Sequence, residues 1–132
     1  MSTQPLRRLS AAEATELALS APGSACNQCR AFSSPGWSSF PATASAEVLQ
    51  AVGALWLPGD DEPTQEETPR PTGVDEWSAA APISLSRRPY NRCEIWSCRH
   101  CRLPFLRYTE YGGYYVDSRI RELHAERLVD GI

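Results

Sequence analysis

The chain has 132 residues, of which 42% are hydrophobic and 22% charged, and a formal net charge of −3 at pH 7. That profile predicts one soluble globular domain over residues 1–132 and excludes a disordered or fibrous chain. No apolar run approaches the roughly 20 residues that span a bilayer, and no apolar segment follows Arg7 and Arg8, so the sequence predicts neither a membrane partner nor a secretory leader.

Eleven prolines and eight glycines point to long irregular stretches around a modest core, the setting in which a metal staple contributes most. The five cysteines cannot all pair as disulfides. Their C-x-x-C arrangement suits a reducing compartment, so the expected location is cytoplasmic.

In chain order, the first predicted element is a short helix over residues 10–20. Ser10-Ala11-Ala12-Glu13 has the form of a capping box, with Ser10 as N-cap and Glu13 reaching back to it. Pro22-Gly23 ends the helix, and Cys26-Asn27-Gln28-Cys29 follows directly. Residues 30–45 read as loop, with Trp37 and Phe40 expected to fold back onto the core. Over residues 46–57, Val48, Leu49, Val52, Leu55 and Trp56 fall on a helical stripe, and helix is the preferred reading; Gly53 and the valines keep a buried strand as the alternative.

Residues 58–76 are acidic and proline-rich with almost no apolar side chain. Such composition does not offset its ordering entropy, and it predicts a long mobile loop within the domain. Trp77 closes that loop. Residues 91–97 read as a strand, with Cys93, Ile95 and Ser97 on one face and Glu94 and Trp96 on the other. Cys98-Arg99-His100-Cys101 comes next, then a second strand over residues 105–111. Gly112-Gly113 reads as a two-residue hairpin turn returning through Tyr114-Tyr115-Val116. That register sets Tyr111 opposite Tyr114, Glu110 opposite Tyr115 and Thr109 opposite Val116. Asp117 or Ser118 then caps a last helix over residues 119–129, with Ile120, Leu123 and Leu128 inward; a strand continued to Leu123 is the alternative.

Each C-x-x-C places two thiolates on one tight turn. Two such turns supply the four soft ligands of a closed tetrahedral zinc site. The expected cofactor is therefore one structural Zn(2+) held by Cys26, Cys29, Cys98 and Cys101. Four protein ligands leave no position for substrate water, so the same motif argues against zinc catalysis. No nucleophile elbow, phosphate loop or H-E-x-x-H is present; the chain is read as a non-enzyme with no small-molecule substrate evident. Glu110, Asp117 and Arg119 read as a surface ion pair.

An iron–sulfur cluster and a dithiol redox pair use the same residue types. Pro104 and the β-rich sequence after Cys101 argue against the helix that a thioredoxin-like C-x-x-C opens. Cys93 reads as a small buried strand residue that could replace Cys26, His100 as exposed, and His124 as a ligand only if one cysteine fails.

The succession of strand, cysteine turn, strand, glycine hairpin and strand, with a second cysteine turn from far upstream, resembles zinc-ribbon proteins. The resemblance covers residues 26–29 and 92–116. It implies two knuckles clasping one zinc beside an antiparallel sheet of about three strands. Together with two or three short helices and the acidic loop, the expected fold class is a zinc-clasped α+β domain. Two departures stand out. The 68 residues between Cys29 and Cys98 far exceed the roughly 15–20 usual between such pairs, and arginines (Arg30 and Arg102) stand where a glycine often follows a knuckle's second cysteine.

Residues 1–86 carry four arginines and ten acids, whereas residues 87–132 carry nine arginines and six acids. Arg87, Arg88, Arg92, Arg99, Arg102 and Arg107 cluster around the second knuckle, and Tyr108, Tyr111, Tyr114 and Tyr115 are interleaved on the hairpin; Arg99, Arg102, Arg107 and the four tyrosines are the candidate contact residues. Arginine with aromatics is the composition of protein-interface hot spots. It is also that of single-strand nucleic-acid platforms, but the acidic net charge opposes a polyanion. The sequence is therefore read as a non-catalytic binding module that recognises a protein partner, in the manner of a small bacterial regulator or an inhibitor of the immunity type. A nucleic-acid-binding zinc ribbon is the alternative, and a dithiol redox protein comes after it.

Overall fold

The structure is a computed structural model describing residues 6–34, 36–111 and 114–129. One α-helix and five strands are present among them: α1 (Ala11–Leu19), β1 (Ser38–Ser39), β2 (Leu49–Ala54), β3 (Glu94–Cys98), β4 (Pro104–Tyr111) and β5 (Val116–Glu122). The strands form a single antiparallel sheet in the order β1-β5-β4-β3-β2. The α+β class is as expected, with five strands where about three were anticipated and one α-helix where two or three were. No helix among the described residues is long and apolar enough to cross a membrane.

α1 begins as its sequence dictates. The Glu13 N–H donates to Ser10 Oγ (3.1 Å) and the Ser10 N–H to Glu13 Oε1 (3.0 Å), closing the capping box. Such a cap stabilises a helix by about 1 kcal/mol. Ala14 and Ala18 are its buried residues and join the core layer that holds Ile95 and Leu106.

Two predicted helices are strands. Of residues 46–57, only Ala46–Val48 makes a single 3₁₀ turn, and β2 then pairs with β3 from Leu49↔Cys98 to Ala54↔Glu94. The pairing slips between Ala51 and Gly53, a bulge that lets Leu49 and Leu55 serve opposite core layers. Gly53 is required there: a Cβ would lie 2.5 Å from the Arg7 carbonyl oxygen and 2.6 Å from Leu9 Cγ. The chain before α1 lies against this strand, the Ala54 N–H donating to the Arg7 carbonyl (2.9 Å) and the Leu9 N–H to the Ala54 carbonyl (2.8 Å). Likewise β5 carries the stretch expected to start the last helix, and only Ala125–Arg127 forms a 3₁₀ turn. β4 offers a full ladder to that segment, so tertiary pairing overrides a helical stripe of three apolar residues.

The β4–β5 register also differs. Tyr111 faces Val116, Glu110 faces Asp117 and Thr109 faces Ser118, two residues away from the expected pairing. A shift of two leaves each side chain on its face but moves Tyr114 and Tyr115 out of the ladder. The predicted Gly112-Gly113 turn lies outside the described residues.

Residues 58–76 contain no helix or strand, as anticipated. They are nevertheless tied down, the Thr68 N–H donating to the Arg88 carbonyl (3.0 Å), the Arg88 N–H to the Glu66 carbonyl (2.8 Å) and Asn91 Nδ2 to the Thr64 carbonyl (3.0 Å). Trp77 closes the excursion with its ring 4.4 Å from the Arg119 guanidinium.

Strand alternation builds two core layers. Cys93, Ile95, Leu106 and Leu123 pack with Leu9, α1, Trp37 and Tyr90 on one face. Leu49, Phe105 and Ile120 pack with Phe32, Leu103 and the cysteine turns on the other.

Candidate metal centre

The second cysteine turn is the loop of the β3–β4 hairpin. The Cys98 N–H donates to the Leu103 carbonyl (3.0 Å), the Arg102 N–H to the Cys98 carbonyl (3.0 Å) and the His100 N–H to Cys98 Sγ (3.4 Å). Arg102 takes up a φ of 71°. An arginine thus occupies the left-handed conformation for which knuckles commonly use glycine, at a cost of roughly 1 kcal/mol. The first turn is built differently. Arg30 opens the 3₁₀ turn Arg30–Phe32, the Phe32 N–H donating to the Cys29 carbonyl (2.9 Å), and Phe32 is buried beside the cluster.

The two turns meet. Sγ separations are 3.8 Å for Cys26–Cys29, 3.6 Å for Cys26–Cys98 and 3.7 Å for Cys29–Cys101, and all four sulfurs lie within 4.8 Å of one another. Four thiolates about 2.3 Å from a tetrahedral ion would stand about 3.8 Å apart, so the donor set fits a metal ion in both chemistry and spacing. The cross-turn distances are as short as the within-turn distance. The sulfurs therefore form one cluster rather than two dithiol pairs, and none is disulfide-bonded. Cys29 and Cys98 are buried, whereas Cys26 and Cys101 are part-exposed.

Electrostatics separate two of these sulfurs. Backbone N–H groups of Cys29 and then Gln28 draw the Cys26 thiol down to about 6, whereas burial pushes the Cys29 thiol up. Thiolates this close repel one another, so deprotonation of the full set goes with a cation at its centre.

The remaining cysteine and the histidines stand apart. Cys93 is fully buried in the opposite core layer, its S–H donating to the Pro89 carbonyl (3.4 Å), and burial holds its thiol well up. It does not replace Cys26. His100 is exposed, and His124 Nε2 lies 3.4 Å from Glu122 Oε1.

The seven residues proposed from sequence to meet a partner do not form one patch. Arg99 and Arg102 sit at the knuckle end of the sheet, Arg99 donating to the Glu47 carbonyl (2.9 Å). Tyr111, Tyr114 and Tyr115 are exposed at the opposite end, about 23 Å away along eight residues of β4. Tyr108 points into the other face, edge-on to Trp37 at 4.8 Å, accepting from Arg119 (3.0 Å) and donating to Glu110 (3.2 Å). Arg107 lies between them, its guanidinium over the rings of Phe40 (4.0 Å) and Trp96 (4.8 Å).

Beside Arg107 and Tyr111 is a groove of about 380 Å³, also lined by Trp56, Arg92, Glu94 and Trp96. Sequence reasoning did not find it, because Trp56 and Arg92 reach it from two separate segments.

It also missed Arg121, which is fully buried, donating to the Tyr90 hydroxyl (2.6 Å) and the Ala81 carbonyl (2.6 Å). Burial pushes its pKa down. The signal in the sequence is the alternation Arg119, Arg121, Leu123, which marks one strand face and belongs to the strand alternative for this segment. The ion pair expected of Glu110, Asp117 and Arg119 is present, with Arg119 3.1 Å from Asp117 and 3.5 Å from Glu110. Arg119 is buried rather than exposed.

Comparison with protein-family models, curated proteins and solved structures returns no match. The site stands on its geometry.

Proposed function

We propose that the protein is a non-catalytic, zinc-stabilised module that recognises a protein partner, with one structural Zn(2+) held by Cys26, Cys29, Cys98 and Cys101. The single four-sulfur cluster carries this reading. All four donors are soft, their spacing suits a tetrahedral ion, and a shell of four protein ligands leaves no place for a reacting water. Bound zinc would cross-link residues 26–29 to residues 98–101 and so close a long loop of chain, which costs the unfolded state roughly 4 kcal/mol of entropy. The cysteine turn carried on a β-hairpin supports the likeness to zinc ribbons, and a four-thiol metal site suits a reducing, cytoplasmic setting.

A protein partner is favoured over nucleic acid because the arginines near the clasp do not join the exposed tyrosines in one basic, aromatic surface. The test is native mass spectrometry of protein purified without added metal, beside Cys26→Ser and Cys98→Ser. One zinc per chain, lost with folding in both variants, is the expected result. A metal-free, folded parent would overturn the zinc reading. Salt-dependent affinity for RNA or DNA that disappears when Arg99 and Arg102 are neutralised would overturn the partner class.

A further inference from the structure

We propose that the partner docks in the groove between Trp56, Trp96 and Tyr111, and that the groove takes a carboxylate-bearing apolar segment of that protein, with Arg107 as the fork that receives the carboxylate. The inference rests on the protein-binding reading above and assigns it a site and a ligand chemistry.

The groove exists because one face of the sheet is covered along only half its length. At the knuckle end, the cysteine turns with Phe32 and Leu103 bury Leu49, Phe105 and Ile120. Beyond Arg107 that cover gives way to side walls, with Trp56, Glu62 and Pro63 flanking the strand face. Tyr111 is 76% exposed and its cross-strand partner Val116 67%. The space left is about 380 Å³, room for one or two side chains of a bound segment. Its aromatic walls are fixed in place: Trp56 Nε1 donates to the Asp61 carbonyl (3.0 Å) and Trp96 Nε1 to Glu94 Oε1 (2.9 Å).

Arg107 supplies the chemical selection. Its guanidinium carbon lies 4.0 Å from the Phe40 ring centroid and 4.8 Å from that of Trp96, two contacts that restrain the side chain. Among the described residues its N–H groups meet no hydrogen-bond acceptor; its charged neighbour is Glu94, opposite it on β3, whose Oε1 accepts from Trp96. Arg119, Arg7 and Arg8, by contrast, are paired with carboxylates: Arg119 with Asp117 and Glu110, Arg7 with Glu13, Arg8 with Asp60. A part-buried guanidinium whose N–H groups have no acceptor presents a planar fork of donors that suits a carboxylate.

Nucleic acid fits less well. Glu62 and Glu94 share the groove wall, so a strand with a phosphate at every step would run its charges over carboxylates. A peptide needs to place only one carboxylate, at Arg107, and can lay apolar side chains against the tryptophans.

The test is a ¹H–¹⁵N NMR titration of the metal-loaded full chain, following the indole N–H of Trp56 and Trp96 and the Nε–H of Arg107. The probes are a short blocked peptide with one phenylalanine followed by one glutamate, its glutamine counterpart, and a short oligothymidylate. The glutamate peptide should shift these resonances saturably and bind roughly fivefold tighter than the glutamine peptide. In Arg107→Gln that preference should vanish. Tyr111→Ser, at an exposed position, should weaken both peptides without disturbing the fold, and covers the case in which Arg107→Gln misfolds.

Equal binding of the two peptides, silence at both tryptophans, or a response to oligothymidylate in their place would each overturn the proposal. A protein partner bound equally by the parent and Arg107→Gln would overturn the groove while leaving the protein-binding reading intact. Glutamate-selective binding by a chain that engages no protein would support the carboxylate site and overturn that reading instead.

Discussion

The two ends of the β4–β5 ladder are made from the same pair of strands, yet they are finished differently. At the knuckle end the chain folds back over the sheet through two cysteine turns, and Phe32, Leu103 and Phe105 are buried there. At the hairpin end the same face leaves Tyr111 and Val116 in solvent, beside a groove. A chain with so many prolines, glycines and alanines has few large apolar side chains to spend. It covers one end by bringing sulfurs together and leaves the other bare. A small domain closed by a staple need not bury its whole surface to fold, and the proposed recognition site is the end left uncovered.

The largest test of that contrast is at the cluster. Cys98→Ser should abolish metal binding and cooperative folding, a loss on the scale of the entire stability, about 5–15 kcal/mol. Cys93→Ala, in the opposite core layer, should keep one metal per chain and cost about 1 kcal/mol. Metal content by native mass spectrometry and thermal unfolding by circular dichroism separate the two; equal losses would mean the cluster is not the staple.

Next comes the sheet face itself. Phe105→Ala at the covered end should cost about 3–5 kcal/mol, whereas Tyr111→Ser at the bare end should cost under about 0.5 kcal/mol. Urea unfolding of both variants measures the difference. Similar costs would show that the hairpin end is packed after all.

The face opposite the clasp should respond to alkali. Burial raises the pKa of Tyr90 and of Tyr108 above the ordinary value of 10.0. Both phenols stay protonated in the fold at a pH where the unfolded chain has ionised them. Their contribution is fully present below pH 10 and is lost as pH rises through the folded values. Unfolding free energy should therefore fall from about pH 10 upward, and Tyr108→Phe should blunt the fall. A flat profile to higher pH would place Tyr108 in solvent.

The smallest effect expected distinguishes the two cysteine turns. Arg102→Gly relieves a left-handed residue and should stabilise by roughly 1 kcal/mol. Arg30→Gly, which opens a 3₁₀ turn, should be neutral or destabilising. Chemical denaturation midpoints report both, and a stabilised Arg30→Gly would contradict the difference in construction.

Much of the site was legible before the fold. The C-x-x-C spacing places two sulfurs on one turn whatever surrounds them, so the ligand set Cys26, Cys29, Cys98 and Cys101 could be read locally. The capping box at Ser10 and Glu13 and the alternation of Cys93 through Ser97 are local in the same sense. Residues 46–57 and 119–129 were not legible. Their apolar spacing satisfies a helix nearly as well as a strand, and the choice lay with distant partners: β3 for the first, β4 for the second. The Tyr111↔Val116 register was hidden for a related reason, since a shift of two preserves every face.

The sequence alone determined what depends on neighbours along the chain: the two thiolate turns, the start of α1, the faces of β3 and the irregular acidic stretch. Tertiary structure alone decided which long-range neighbours each segment met. It turned two candidate helices into strands, set the seven proposed contact residues at opposite ends and on opposite faces of the sheet, buried Arg121, and assembled a groove around Arg107 from four separate stretches of chain. Local steric and hydrogen-bonding rules act over a few residues, whereas burial and strand pairing are settled only when the whole chain has closed.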